Sequence, residues 1–586
     1  MEIRVCMGPG GIATGGQDVI NAFDGAIAAA GVGATVMEHC SMHQVGCMGL
    51  CSRDVLVEVV DGETKHSYQY VKPDMVPRIV EEHVRGGTPV AEWLVDDAYH
   101  AFNARQVKIV LDDCGRIDPE SIDAYISVSG YEALKTVLGM QQEEVIGIVS
   151  ASGLRGRGGA GFPTGRKWDG ARRTGASQKY IICNADEGDP GAFMDRAILE
   201  GNPHSVIEGM IIGGYSIGAS VGYIYVRAEY PVAVERLKIA IARAVERNLL
   251  GQNILGTGYS LDLYIYQGAG AFVCGESTAL MRSIEGKRGM PRPTPPNSVY
   301  MGLNGKPSVL NNVETFANVP YIIRRGAAWF ASYGTEKSKG TKAFALTGKV
   351  RNTGLIEIPM GMPLKEIIYE IGGGIEGGKQ LKAVQTGGPS GGCIPASMID
   401  TPVDFESLDK IGSIVGSGGM IVLDEDDCMV SIAKYFMHFT QEESCGKCVP
   451  CRVGTKRLLE IMERITGGEG RAGDIELLQD LGAMVVDASL CGLGKSAPNP
   501  ILSTIKYFRE EFEAHINGRC PAGVCKPLLT YSIIADTCTG CGACKRACPA
   551  GAITGEKKKP HVLDQSLCVK CGACYDTCKF KSVHKE

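Results

Sequence analysis

With 586 residues, 60 Lys and Arg against 66 Asp and Glu, the chain is too long for one core, since single cores rarely exceed about 250–300 residues. Its near-balanced charge excludes the usual signature of a nucleic-acid binder. The outliers are 78 glycines and 23 cysteines, and the opening MEIRVCMG lacks the charged-then-apolar layout of a signal peptide. The expected compartment is therefore the cytoplasm, where disulfides are rare and grouped cysteines ligate metal.

Residues 1–95 read as a small α/β unit. Strand IRVCM leads to helix QDVINAFDGAIAAAG, strand ATVMEHC, the cysteine loop GCMGLC, strand VLVEVV and helix MVPRIVEEHVR. Residues 96–130 form a connector. Residues 131–338 alternate apolar strands such as YIICNA and DLYIYQ with helices, as an α/β core does. Within them, Gly209 to Val226 carries no charge and is long enough to raise the question of a membrane span. Its five glycines and polar interruptions instead fit a buried helix followed by strand VGYIYV. Residues 339–425 predict a compact α+β module with one helix, PLKEIIYEI. Residues 426–518 show 3.6-residue apolar spacing, as in SIAKYFMHF and TKRLLEIMERI. The tail, residues 519–586, is short and crowded with cysteine.

The stretch GLRGRGGAGFPTGRKW, residues 153–168, contains G-x-G-x-x-G at Gly156, Gly158 and Gly161. That is the fingerprint of a Rossmann turn, with Asp186 about 25 positions on. The preceding VIGIVSAS reads as a strand. The following FPTGRKW, with Pro163 and Gly165, predicts no helix where the Rossmann helix belongs. A different phosphate-binding loop is expected.

Fourteen of the 23 cysteines lie after residue 440. CTGCGACKRACPA at 538–550 is echoed 30 residues later by CVKCGACYDTCKF at 568–580. Cys-x-x-Cys-x-x-Cys-x-x-x-Cys runs of this kind hold paired 4Fe–4S clusters, the fourth cysteine crossing to the other cluster. One cluster takes Cys538, Cys541, Cys544 and Cys578, the other Cys568, Cys571, Cys574 and Cys548. Cys445, Cys448 and Cys451 with the remote Cys491 suit a third 4Fe–4S cluster, with thiolate-ligated zinc as the alternative on spacing alone. His515, Cys520 and Cys525 suit structural zinc, with Cys428 or His438 as the fourth ligand, or else unligated thiols. Cys6, Cys40, Cys47 and Cys51 form a candidate 2Fe–2S set. The lone Cys114, Cys183, Cys274 and Cys393 read as packing residues.

In order, GLRGRGGAGFPTGRKW, NADEGDPGAF (184–193), GAGAFVCGESTAL (268–280), GKPSVLNNVETFANVP (305–320), ESCGKCVPCRVGT and SLCGLGK closely resemble the FMN-carrying, NADH-oxidising subunit family of respiratory complex I. With the N-terminal unit and the cysteine-rich tail, the chain resembles the flavin-bearing beta subunit of soluble NAD(P)-linked and electron-bifurcating hydrogenases, and related subunits of formate dehydrogenase and benzoyl-CoA reductase complexes. The resemblance implies a multidomain α/β and α+β protein. Its parts are a thioredoxin-like N-terminal unit, a non-Rossmann FMN-binding core, a ubiquitin-like SLBB module, a helical-bundle iron–sulfur domain and a two-cluster ferredoxin domain.

The resemblance also implies roles. Gly156, Gly158 and Gly159 let the backbone approach FMN, and Lys167 supplies a positive charge. Asn184 and Asp186 bond the ribityl chain and ring edge, and Asn311 and Asn312 stand at the phosphate end. Glu187, Asp189 and Gly275 line the same pocket, and Phe162 stacks on the nucleotide. Glu276 lies between flavin and nicotinamide and is the implied catalytic residue. The implied cofactors are FMN, three 4Fe–4S clusters, a 2Fe–2S cluster and zinc, with NAD(P)(H) as substrate. The implied partners are a thioredoxin-like 2Fe–2S subunit, a catalytic subunit of hydrogenase, formate dehydrogenase or acyl-CoA reductase type, and ferredoxin. The expected function is electron transfer between NAD(P)(H), FMN and iron–sulfur clusters; the alternative is a relay subunit that does not itself use nicotinamide.

Four departures stand out. Ser277 replaces a second acidic residue, which either removes a like-charge barrier to a 2′-phosphate or leaves the nicotinamide site weakened or unused. Asp189 stands where Glu is common. RPTPPNS carries Thr294 and Asn297 in place of a lysine and an aromatic residue. Relatives carry a second cysteine five positions after the first, where this chain has Gly11; either Cys40 substitutes as ligand or the 2Fe–2S cluster is absent.

Overall fold

The computed structural model describes residues 1–29 and 41–585. The expected strand ATVMEHC, with Cys40, lies outside the described residues. The chain divides into two compact units, residues 1–379 with 383–422 and residues 380–382 with 423–586.

The first unit opens with β1 (Glu2–Cys6), α1 (Pro9–Ala13), α2 (Gly16–Ala29), β2 (Ser41–Val45), β3 (Val57–Asp61) and β4 (Thr64–Tyr68). The sheet runs β2-β1-β3-β4, with β2 parallel to β1 and both later pairings antiparallel. Val19, Phe23 and Ile27 of α2 recur every four residues and are buried, the stripe a helix needs to close one core face.

The core then proceeds through α3 (Gln142–Ala151), α4 (Thr164–Arg172), β5 (Tyr180–Ala185), α5 (Met194–Gly201) and α6 (Pro203–Ile217). It continues with β6 (Val221–Arg227), α7 (Pro231–Glu246), β7 (Asp262–Gly268), α8 (Ser277–Ile284), β8 (Ser308–Asn312) and α9 (Val313–Arg325). Two expectations about the glycine loop are overturned. VIGIVSAS is not a strand; it falls within α3 and its C-terminal cap, and α3 opens with a capping box between Gln141 and Glu144. FPTGRKW does become helical, because Pro163 stands just before the first turn of α4, where its missing N–H costs nothing. Gly165 is needed for close packing: a Cβ there would lie 2.2 Å from Ser150 Oγ of α3. The loop thus joins two helices, and a Rossmann turn fails because no strand precedes it.

The central sheet is parallel throughout, in the order β7-β6-β5-β8. The uncharged stretch is the second half of α6 followed by β6. Nearly every residue of α6 is buried, and its buried Glu208 is satisfied by the Tyr125 hydroxyl and the Tyr131 and Leu134 N–H groups. Gly209 lets the Phe316 backbone of α9 approach, since a Cβ there would meet its carbonyl oxygen at 2.1 Å. No helix among the described residues is long and apolar enough to cross a membrane.

A five-stranded sheet follows, from β9 (Thr341–Gly348), β10 (Gly354–Pro359), β11 (Leu381–Thr386), β12 (Gly392–Pro395) and β13 (Gly419–Asp424), ordered β10-β9-β13-β11-β12. β13 runs parallel to β9, whereas the β10–β9 and β11–β12 pairings are antiparallel.

The second unit is a helical bundle: α10 (Met429–Glu442), α11 (Val449–Thr466), α12 (Asp474–Ala488), α13 (Gly492–Ser496) and α14 (Asn499–Ile516). Met437, Leu458, Met462, Leu478 and Phe512 are fully buried in its core. Its tail carries β14 (Tyr531–Ile533), α15 (Ala543–Ala547), β15 (Ile553–Thr554), β16 (Val562–Leu563), α16 (Ala573–Thr577) and β17 (Val583–Lys585). β14 pairs antiparallel with β17, and β15 with β16. The sequence repeat is a structural one: α15 and α16 each begin after a left-handed glycine, Gly542 (φ 73°) and Gly572 (φ 82°).

Candidate functional site

In parallel α/β sheets, ligands sit beyond the carboxyl ends of the strands. Here β5 and β8 end side by side, with Asn184 in register with Asn312 and Cys183 with Asn311. The glycine loop crosses this end. A Cβ at Gly158 would lie 3.0 Å from the Asn312 Cβ, so a side chain there would press on Asn312. Gly159, at φ +114°, bridges to Gly416, and Gly161, at φ +60°, faces the Phe405 ring. Two arginines, which the motif reading missed, hold the loop in shape. Arg155 donates to the Gly161 carbonyl (2.6 Å) and to Glu406 (2.5 Å), with its guanidinium 4.3 Å from the Phe405 ring centre. Arg157 is 1% exposed and donates to the carbonyls of Arg155 (3.1 Å) and Lys339 (2.6 Å). No local pattern marked them, because their partners lie up to about 250 residues away.

Lys167 lies in the first turn of α4. Its Nζ donates to the Leu310 carbonyl at 2.8 Å, and burial pulls its pKa down to about 8. The adjacent Trp168 is fully buried and donates from Nε1 to Asn311 Oδ1 at 3.0 Å. Phe162 is different: it is 45% exposed, with Arg166 and Lys167 both within 6 Å of its ring centre (5.8 and 5.9 Å). Asn184 donates from Nδ2 to the Gly275 carbonyl (2.8 Å) and accepts from the Asp186 N–H (3.0 Å). Asp186 pairs with Arg227 at 3.5 Å. Gly156 closes the loop, its N–H donating to the Phe162 carbonyl at 2.9 Å.

Several acidic residues are committed to the backbone. Glu187 accepts from the N–H groups of Asp195 (3.0 Å) and Arg196 (3.1 Å), capping α5, and burial lifts its pKa to about 6. Glu276 is the N-cap of α8, accepting from the N–H groups of Thr278 (3.0 Å) and Ala279 (2.9 Å). Ser277 donates to its other oxygen at 3.2 Å. Asp189 accepts from the Ser417 hydroxyl, and burial raises its pKa to about 6. Asn312 caps α9 and donates to Asp195, while Glu314 forms a fully buried ion pair with Lys342. Thr294 and Asn297 are exposed.

The thiols of the second unit stand at helix starts and in the loops beside them. Cys448 is the N-cap of α11, Cys451 lies in its first turn, and Cys491 is the N-cap of α13. Helix N-termini favour thiolates. Burial pushes Cys451 up to about 11, with Cys445, Cys448 and Cys491 near enough to add to the rise. In the tail, Cys538, Cys541, Cys544 and Cys578 line one cavity with His561 and Phe580. Cys578 has therefore crossed to the first cysteine run. Cys568 and Cys571 stand near Cys574. The two crossing cysteines repeat one geometry: Cys548 Sγ accepts from the Ala552 N–H and Cys578 Sγ from the Ser582 N–H, both at 3.3 Å.

Cys428, His515, Cys520 and Cys525 are all buried, with donor atoms within 4.8 Å of one another. Cys428 Sγ lies 3.3 Å from His515 Nε2 and 3.8 Å from Cys525 Sγ. His515 Nδ1 lies 2.6 Å from the Glu511 carbonyl, which assigns it the proton and turns the Nε2 lone pair toward the thiols. Cys428 is thus the fourth member. His438 is not: it is exposed and faces Glu442, because it lies on the solvent side of α10. At the N-terminus, Cys47 and Cys51 sulfurs are 3.8 Å apart and Cys6 is buried. The lone Cys114, Cys183, Cys274 and Cys393 are buried.

Residues 149–321 match the Nuo51 FMN-binding domain, 344–394 the SLBB domain, 431–515 the NADH-ubiquinone oxidoreductase-F iron-sulfur binding region and 530–579 a 4Fe-4S dicluster domain. The chain is 58% identical over 483 residues to NADP-reducing hydrogenase subunit HndC of Solidesulfovibrio fructosivorans, covering 82% of this chain and 98% of that protein. It is 45% identical over 406 residues to an F-type subunit of NADH-quinone oxidoreductase from Rhizobium meliloti, covering 69% and 96%. Among solved structures, the NAD+-reducing [NiFe]-hydrogenase in its H2-reduced state aligns at a TM-score of 0.62 and 31% identity, over 88% of this chain and 84% of that one. With a parallel-sheet crevice under a glycine loop and clustered thiols in one sequence, the chain belongs to the family of FMN- and iron–sulfur-bearing, NADH-oxidising subunits that complex I and NAD(P)-linked hydrogenases share.

Proposed function

We propose that this chain is the nicotinamide-facing electron-transfer subunit of a multisubunit oxidoreductase, exchanging electrons between NAD(P)(H), FMN and three 4Fe–4S clusters. The observation that carries it is the crevice where the glycine loop lies over Asn312 while the half-buried Lys167 amine approaches the end of β8. The residues fit FMN: a loop closed to side chains, a desolvated cation for a phosphate and amide side chains at two adjacent strand ends. When bound, FMN accepts a hydride from nicotinamide and releases electrons singly. Gly156, Gly158 and Gly159 bring backbone to the flavin, Lys167 balances its charge, and Asn184, Asp186, Asn311 and Asn312 fix its orientation. Gly275 is tied to Asn184, and Glu187 and Asp189 hold the surrounding loops. Phe162 offers an exposed aromatic face for the nicotinamide ring. Glu276, fixed as a helix cap, orients the α8 end of the pocket.

Anaerobic titration with NADH and NADPH tests this. Flavin absorbance is expected to bleach with at least one of them. Bleaching by neither, with reduction by a partner subunit, would establish the relay alternative. Because Ser277 stands where relatives keep an acid, Ser277→Glu is expected to lower kcat/KM for NADPH relative to NADH by roughly tenfold, the effect of about 1–2 kcal/mol of like-charge repulsion. Steady-state rates with both nucleotides measure it. Cys451→Ser is expected to abolish the EPR signal of the cluster held by Cys445, Cys448, Cys451 and Cys491, while nicotinamide still bleaches the flavin. An unchanged signal would rule out that ligand set.

Cys428, His515, Cys520 and Cys525 would hold zinc, their spacing fitting one tetrahedral ion. For partners, residues 519–586 carry eleven Lys and Arg against five Asp and Glu, although the whole chain is net acidic. A basic two-cluster module suits exchange with an acidic ferredoxin. A catalytic subunit of hydrogenase, formate dehydrogenase or acyl-CoA reductase type and a thioredoxin-like 2Fe–2S subunit complete the assembly. The many thiolate sites suit a reducing, cytoplasmic compartment.

A further inference from the structure

The N-terminal thiols leave a ligand count incomplete. A 2Fe–2S cluster takes four protein ligands, and Cys6, Cys47 and Cys51 supply three. Position 11 cannot supply the fourth, because a Cβ on Gly11 would lie 2.1 Å from the Cys6 carbonyl oxygen. The missing donor stands on the other side of the pocket. Cys51–Arg53 form one 3₁₀ turn ending at Asp54, whose N–H returns to the Cys51 carbonyl at 3.3 Å. Side chains three apart in a 3₁₀ turn eclipse, so Cys51 and Asp54 project together. A Cβ at Gly10 would lie 2.3 Å from Asp54 Oδ2 and 3.0 Å from Cys51 Cβ, which places carboxylate and thiol around one small space. The Asp54 carboxyl also neighbours the Cys6 and Cys47 thiols.

Asp54 is 9% exposed. Its Oδ1 accepts from the Leu56 N–H at 3.4 Å, and the carboxyl stands within hydrogen-bonding reach of the Cys6 thiol. A buried carboxylate is costly unless it is paired or bound to metal, and one within reach of the Cys6 thiol can share an ion with it. We propose that the N-terminal unit holds a 2Fe–2S cluster whose fourth ligand is the Asp54 carboxylate, beside Cys6, Cys47 and Cys51. The assignment rests on reading the three cysteines as cluster ligands. The pairing is set by distance: Cys47 and Cys51, 3.8 Å apart, match the separation of about 3.8 Å for two thiolates on one tetrahedral ion. Cys6 and Asp54 then share the second iron. A mononuclear site needs all donors mutually close, as in the Cys428 group, and among the described residues the N-terminal donors do not meet that limit.

The test uses the full chain, reduced anaerobically, with EPR at liquid-nitrogen temperature, where 4Fe–4S signals broaden away and 2Fe–2S signals persist. The wild type is expected to show a 2Fe–2S signal. Asp54→Ala is expected to lose it together with two iron per chain, while FMN content and the low-temperature 4Fe–4S signals stay unchanged and report an intact fold. Asp54→Cys is expected to retain the signal with shifted g values, which covers the case where the alanine variant fails to fold. Cys40→Ser is expected to leave the signal unaltered. A wild-type chain without the signal overturns the cluster itself. A signal that survives Asp54→Ala unchanged, or keeps its g values in Asp54→Cys, or vanishes in Cys40→Ser, overturns the carboxylate ligand and leaves the cluster standing.

Discussion

Replacing Lys167 with methionine is expected to weaken FMN binding by roughly 10–100-fold, the loss of one charge-assisted hydrogen bond of about 1.5–3 kcal/mol. Methionine keeps the apolar stem of this α4 residue and removes only the amine, so the fold is expected to survive. Titration of flavin-free protein by FMN fluorescence quenching measures the change. A pH dependence accompanies it. In the flavin-free protein, burial holds the Lys167 amine at about 8 instead of its ordinary 10.5. An anionic phosphate beside it favours the ammonium, so binding above about pH 8 takes up a proton. The dissociation constant is therefore expected to be flat below about pH 8 and to rise above it, approaching tenfold per unit. The same shift makes the flavin-free fold carry its full burial penalty below about pH 8, and that penalty is relieved as pH rises toward 10.5. Both slopes are expected to vanish in the methionine variant. An unchanged affinity with an unchanged pH profile would remove Lys167 from the flavin site.

Cys428→Ser is expected to release zinc and to lower the unfolding midpoint of the second unit by about 10 °C or more. The size follows from several kcal/mol of metal-binding free energy and about 2–4 °C per kcal/mol for a unit of this length. The position explains the leverage. Cys428 caps the first helix of the bundle, His515 lies in the last turn of α14, and Cys520 and Cys525 open the tail. One ion held there would join segments 87 to 97 residues apart, closing loops whose entropy the unfolded chain otherwise keeps. Elemental analysis and calorimetry check both effects. The control is His438→Ala, which is expected to change neither, since that side chain is exposed and beside Glu442. Full zinc occupancy in Cys428→Ser would exclude this ligand set.

What the sequence by itself determined were the features carried by short-range spacing. Cysteine runs are local, so the exchange of Cys578 into the first run followed from the repeat alone and is met in the cavity it shares with Cys538, Cys541 and Cys544. The buried helix and strand within Gly209 to Val226 were legible because apolar, uncharged stretches of that length have few other uses. The tertiary structure decided what depends on partners remote in the chain. VIGIVSAS is apolar enough for either strand or helix, and its place against α4, not its own pattern, decides for helix. Pro163 and Gly165 looked like helix breakers, yet one sits before the first turn and the other admits Ser150 of α3. Cys428 rather than His438 completes the His515 group because helix geometry turns one side chain inward and the other outward. Arg155, Arg157 and Asp54 were invisible in the sequence for the same physical reason. A charge acquires its role from what surrounds it after folding, and no local spacing encodes those surroundings.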